Sequence, residues 1–218
     1  MKAAARTSRP LLLAGGAVLL LALALIALTF ARPSASASAP AASAPAAAPA
    51  EGSADVGFAR DMAVHHQQAV EMSFIVRDRT SDEAVRRLAF DIINTQANQR
   101  GMLLGWLDLW GRPISSPGAP MAWMGHSFTP RGDGALMPGM ATDAELDGLR
   151  AAEGRKAEVL FLRLMTVHHK AGADMASAAA SSAGTDVIRN LAAGMVRSQQ
   201  SEIALMADML RERGASAS

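Results

Sequence analysis

The chain has 218 residues, half of them hydrophobic, and 21 Lys and Arg against 20 Asp and Glu leave a formal net charge of +1. This balance, with no basic cluster on one face, excludes a nucleic-acid surface. The absence of cysteine excludes disulfides, thiolate metal sites and a lipid-modified cysteine, so any metal must be held by His, Met or carboxylate.

Lys2, Arg6 and Arg9 precede an uncharged apolar run, Leu11 to Phe30, of about the length that spans a bilayer core. Residues 1–32 are therefore expected to be a signal anchor or transmembrane segment. The positive flank keeps the amino terminus in the cytoplasm and sends the rest out. Ala35-Ser36-Ala37 offers a signal-peptidase site, but the length of the apolar run favours an uncleaved anchor. Residues 33–54, nearly all Ala, Pro and Ser, are expected to form a disordered linker.

Composition rich in Ala, Leu and Met, with few β-branched or aromatic runs, predicts an all-α domain over 55–213. Phe58, Met62, His65, His66, Ala69, Met72 and Val76 recur at helical spacing, giving a first helix to about Arg79. Thr80-Ser81-Asp82-Glu83 reads as a capping box for a second helix that stops at Gly111, before Pro113. Five prolines and many glycines between 112 and 141 forbid a regular element and predict a long connecting loop. Thr142-Asp143-Ala144-Glu145 caps a short helix that breaks near Gly154; another long helix runs to about Ser182, and Thr185-Asp186 opens the last one, closed by Arg211, Arg213 and Gly214.

The segment Asp61–Met72 returns 103 residues later, without a gap, as Leu164–Met175. The two copies predict hairpins over 55–111 and 155–213, joined by the loop 112–141 and related by a pseudo-twofold, that is, a four-helix bundle. Met62, His65, His66 and Met72 share one helix face, as do Met165, His168, His169 and Met175. Ala69 and Gly172 are expected to leave space in the middle of those faces. Imidazole and thioether donors without thiolate suit copper, Cu(I) especially, and by the same softness silver.

A Met stripe alone is ordinarily core filler, but two equivalent pairs of inward histidines are expensive to bury and point to metal ligation. Met121, Met124, His126, Met137 and Met140 in the loop are either accessory ligands on an arm or side chains folded back on the bundle. Gln96, Gln99, Gln199 and Glu202 are placed to hydrogen-bond the imidazoles from behind, and Asp61, matched by Leu164, has no counterpart. No Glu-x-x-His, His-Glu-x-x-His or Gly-x-Ser-x-Gly motif occurs, so no enzyme activity is expected. The expected partners are a metal ion and, through the amino-terminal segment, a membrane. The competing reading is a metal-free interaction or pH-sensing module with a buried histidine network.

The Asp-Met-x-x-His-His-x-x-Ala-x-x-Met motif, followed by Leu88-Ala89, Gln96, Met137-Pro138-Gly139-Met140 and the second Met-x-x-His-His, resembles the exported family catalogued as domain of unknown function 305, over about residues 55 to 211. The resemblance implies a ferritin-like bundle without the ferritin iron site, and copper binding in some members. The family's Gln-x-x-Glu is kept at Gln199 and Glu202, whereas Gln96 is followed by Gln99.

Overall fold

The computed structural model describes residues 47–216 apart from 117, 127 and 131. The apolar run 11–30 and most of the linker lie outside the described residues. Among those described there are five α-helices and no strand: α1 Ala54–Arg77, α2 Glu83–Leu109, α3 Asp143–Ala151, α4 Gly154–Ser182 and α5 Asp186–Glu212. None of them is long and apolar enough to cross a membrane.

Local chemistry sets the helix ends. Ser53 caps α1 through Val56 N, and the Thr142–Glu145 capping box opens α3 as expected. Two starts differ from the sequence reading. The cap of α2 is Asp82, which accepts from Val85 N at 2.9 Å, while Thr80 turns away to donate to Glu158 at 2.6 Å. Thr185 precedes α5 but its hydroxyl donates to Asp55 Oδ1, so it gives no side-chain cap to its own helix. In both cases the hydroxyl donates to a buried carboxylate on the other hairpin, and Thr80 Oγ1 meanwhile accepts from Asp82 N at 3.0 Å.

The hairpins α1–α2 and α4–α5 pack on each other chiefly through α1 and α4, with α3 against both. Several bonds recur 103 positions apart. Arg60 Nε donates to Pro113 O at 2.7 Å and Arg163 Nε to Ser216 O at 2.8 Å, holding the chain that leaves each hairpin. Asp55, near the start of α1, accepts from Gly184 N, Thr185 N and Thr185 Oγ1 in the turn of the second hairpin. Glu158, near the start of α4, takes Thr80 Oγ1 in the turn of the first, and also Arg213 Nε at 2.7 Å. Each hairpin thus inserts a carboxylate into the turn of the other. Burial raises the Asp55 carboxyl, but the donors from Thr185 and Gly184 outweigh it and hold the group below its ordinary value. Asp55→Ala strands those donors and is expected to lower stability by about 2 to 4 kcal/mol, read as a lower urea midpoint at unchanged slope.

The connecting segment is not wholly irregular. It contains one 3-10 turn, Ala122–Met124, entered through Met121 at φ 66°. Asp61 Oδ2 holds this turn, accepting from Met121 N at 2.8 Å and Trp123 Nε1 at 2.9 Å. The Trp123 ring covers Gly57, where a Cβ would fall 2.5 Å from the indole Cγ, and meets Phe58 edge-on. The far end is clamped by Gln68, which exchanges two hydrogen bonds of 2.7 and 2.8 Å with the backbone of Ala141. Asp61, whose lack of a repeat counterpart marked it as asymmetric, is therefore the residue that ties down the one segment the repeat does not duplicate. Burial pushes its carboxyl up, against those two donors.

Candidate functional site

Two apolar clusters fill the interior. One gathers Phe58, Met62, Leu103, Leu107, Met175, Ile188 and Met195; the other Met72, Ile92, Leu149, Phe161, Met165, Met206 and Leu210. The helix methionines divide between them, Met62 with Met175 and Met72 with Met165. Along α1 and α4 the paired histidines lie between these methionines. A polar layer therefore separates two apolar ends.

His65, His66, His168 and His169 are each no more than 1 % exposed. Helix geometry turns adjacent residues about 100° apart, so each pair splits. His65 and His168 meet across the α1–α4 contact with ring centroids 3.7 Å apart and planes at 29°. His66 faces α2, where its Nε2 lies 2.8 Å from Gln99 Oε1; His169 faces α5, where its Nε2 lies 2.7 Å from Glu202 Oε2. His168 Nε2 is 3.1 Å from the carbonyl of His65.

These partners fix where the protons sit. A carbonyl and a carboxylate only accept, so His168 and His169 carry hydrogen on Nε2, and the neutral His168 ring has its lone pair on Nδ1. Gln99, as oriented, places His66 in the same form. Nδ1 of all three, and both nitrogens of His65, are buried without a hydrogen-bond partner among the described residues. Burial, followed by the neighbouring imidazoles, holds His65 and His168 well below the usual histidine value. For His66 burial leads, opposed by the Gln99 hydrogen bond, and the value falls to about 3. His65, His66 and His168 are thus neutral rings with bared lone pairs. A metal-ligating imidazole needs this form, its other N–H held from behind by a carboxylate, carbonyl or amide.

The donor chemistry fits a soft or borderline ion. Convergence is another matter: among the described residues no three His, Asp or Glu side chains surround one point as a ready metal site. Stacked rings carry their lone pairs in their own planes, so His65 and His168 do not aim at a shared position. The expected space beside Gly172 is also filled. A Cβ there would lie 2.5 Å from Gln199 Oε1 and 3.0 Å from His65 Cε1, so glycine admits neighbouring side chains instead of leaving a vacancy.

Of the residues expected behind the imidazoles, Gln99 and Glu202 touch them directly. Gln96 and Gln199 are buried with Oε1 unpartnered. In the connecting segment Met121 and Met137 are buried, Met124 and Met140 half-buried, all four against the first apolar cluster, while His126 is exposed and apart. That segment folds back on the helices. Asp55 joins the two hairpins and Gly172 lets side chains close on the layer; the sequence marked Gly172 and the asymmetry of Asp61 but not Asp55.

Comparison with known proteins follows the same lines. The family described as "Domain of unknown function (DUF305)" matches residues 55–210. A DUF305 protein of Streptomyces coelicolor, assigned to the secreted proteins, is 59% identical with a TM-score of 0.71, covering 77% of this chain and 98% of its own. A DUF305 fragment from Deinococcus radiodurans is 31% identical with a TM-score of 0.62, covering 73% and 96%. CopM in its Cu(II)-bound form is 26% identical with a TM-score of 0.58, covering 72% and 96%. Among curated proteins none matches the chain.

Proposed function

The chain belongs to the DUF305 family, and from that premise we propose that it is an exported, ferritin-like four-helix protein that binds copper and sequesters or hands it on outside the cytoplasm. The observation that carries this reading is the set of buried imidazoles whose Nδ1 atoms lack partners among the described residues while Nε2 of His66, His168 and His169 is held from behind. His65, His66, His168 and His169 are the ligands we assign. Met62, Met72, Met165 and Met175 supply thioether donors on either side. CopM, which has Cu(I)-, Cu(II)- and silver-bound forms, supports the choice of ion. Met121, Met124, Met137 and Met140 are assigned to packing first and accessory binding second.

The stacked His65 and His168 rings must turn about their side-chain torsions to bring their lone pairs round, so binding includes a local rearrangement of the layer. The chain binds its metal as cargo, and no catalytic turnover is proposed. The run 11–30 serves as membrane anchor or cleaved signal, and the Ala/Pro/Ser linker as the spacer between it and the domain.

The test is an anaerobic Cu(I) titration of the purified protein against a competing chelator, with zinc as comparison. Stoichiometric copper uptake with weak zinc uptake is expected. Copper binding no tighter than zinc would leave the metal-free histidine network as the better account.

A further inference from the structure

The two halves of the histidine layer are built on one plan but not with one charge. The residue behind His66 is Gln99, and the residue behind His169, 103 positions later, is Glu202. We propose that Glu202 makes the layer electrostatically one-sided, so that the first metal ion is captured at His169 and the His66 side fills second or not at all. This rests on the copper-binding reading above and adds the order of filling and the residue that sets it.

Three observations carry it. First, Glu202 Oε2 lies 2.7 Å from His169 Nε2, in a pair where the ring is fully buried and the carboxylate is 19% exposed. A carboxylate can only accept, so it holds a proton on Nε2 and leaves Nδ1 as the nitrogen that can ligate. Gln99 can turn its amide and satisfy either tautomer. One half is therefore fixed in the ligating form and the other is not.

Second, a cation entering a layer of buried imidazoles needs a counter-charge nearby. Among the described residues Glu202 is the only carboxylate bonded to any of the four imidazoles, and a carboxylate behind a ligating histidine raises the basicity of the ligand. Third, the packing is unequal in the same sense. Gly172, one turn from His168 and His169, lets Gln199 Oε1 and a carbon of His65 approach the α4 backbone, while its counterpart Ala69 carries a Cβ.

The experiment uses the full chain in detergent with isotope-labelled histidine, titrated with silver, a diamagnetic soft ion of the same preference. The His169 Nδ1 resonance is expected to respond before that of His66 at sub-stoichiometric silver. Glu202→Gln should weaken the first binding step by about 10- to 100-fold and abolish the order, with the apo melting temperature little changed. The exchange variant Q99E/E202Q should recover the affinity and reverse the order, a result that a merely structural role for Glu202 would not give. Simultaneous response of His66 and His169 in the native protein, or undiminished first-step affinity in Glu202→Gln, overturns the inference while leaving metal binding intact. Failure of silver and copper to bind at all overturns the copper-binding reading and this inference with it.

Discussion

Replacing His65, His66, His168 and His169 together by leucine is expected to abolish copper uptake and to raise, not lower, the stability of the apo protein. All four rings are buried, so alanine would open a large cavity and confuse loss of ligands with loss of fold. Leucine fills comparable space. The native layer contains five imidazole nitrogens without partners, and a buried unsatisfied polar group costs about 1 to 3 kcal/mol. The substitution also gives up three ring hydrogen bonds, each worth about 1 kcal/mol. The balance favours the variant by about 2 kcal/mol or more, a rise of roughly 5 °C in the melting temperature. Calorimetry of the apo forms, beside copper titration, checks both halves. A variant that unfolds would instead mark the histidines as a structural network.

The second large effect is on acid stability. His65, His66 and His168 stay neutral in the folded protein well below pH 6.5, His66 down to about 3, whereas the same residues take up protons near 6.5 once unfolded. Below that value the unfolded chain binds more protons, so stability is complete above about pH 6.5 and is lost as pH falls. Three rings together give a slope of about 4 kcal/mol per pH unit. A domain of ordinary stability, about 5 to 15 kcal/mol, is exhausted one to four units below the onset. Asp55 adds to the loss only at lower pH, and Asp61, with its carboxyl raised, works weakly against it. Urea midpoints of the apo protein from pH 7 to pH 4 should follow this slope, and the leucine variant should lose most of it. A flat profile would mean that the rings are solvated or charged when folded.

Much of this was legible in the residues. The apolar spacing yields five helices within about two residues of their expected ends, α1 stopping at Arg77 instead of Arg79 and α2 at Leu109 instead of Gly111. Spacing also put the histidines inward, because burial follows helical periodicity. What periodicity cannot carry is the partner across an interface. The stacking of His65 on His168 and the use of Thr80 and Thr185 by distant carboxylates depend on how two hairpins dock. The loop methionines left two readings open for the same reason. Their fate was decided by Asp61 and Gln68, polar residues on α1 whose side chains reach 60 and 73 positions along the chain.

The reciprocal carboxylates at Asp55 and Glu158 also bear on the order in which the molecule assembles. Contacts within each hairpin are local in sequence, whereas Asp55 bonds to Gly184 and Thr185, and Glu158 to Thr80, across the joint, as far as 130 positions away. Local pairs close first because their loops are short. The hairpins are thus the early folding units, and docking is the late event that seats both carboxylates and drives the imidazoles out of water. Weakening either carboxylate should mainly hasten unfolding and leave the folding rate nearly unchanged. The His65–His168 stack, which exists only across that joint, is the part of the histidine layer that docking completes.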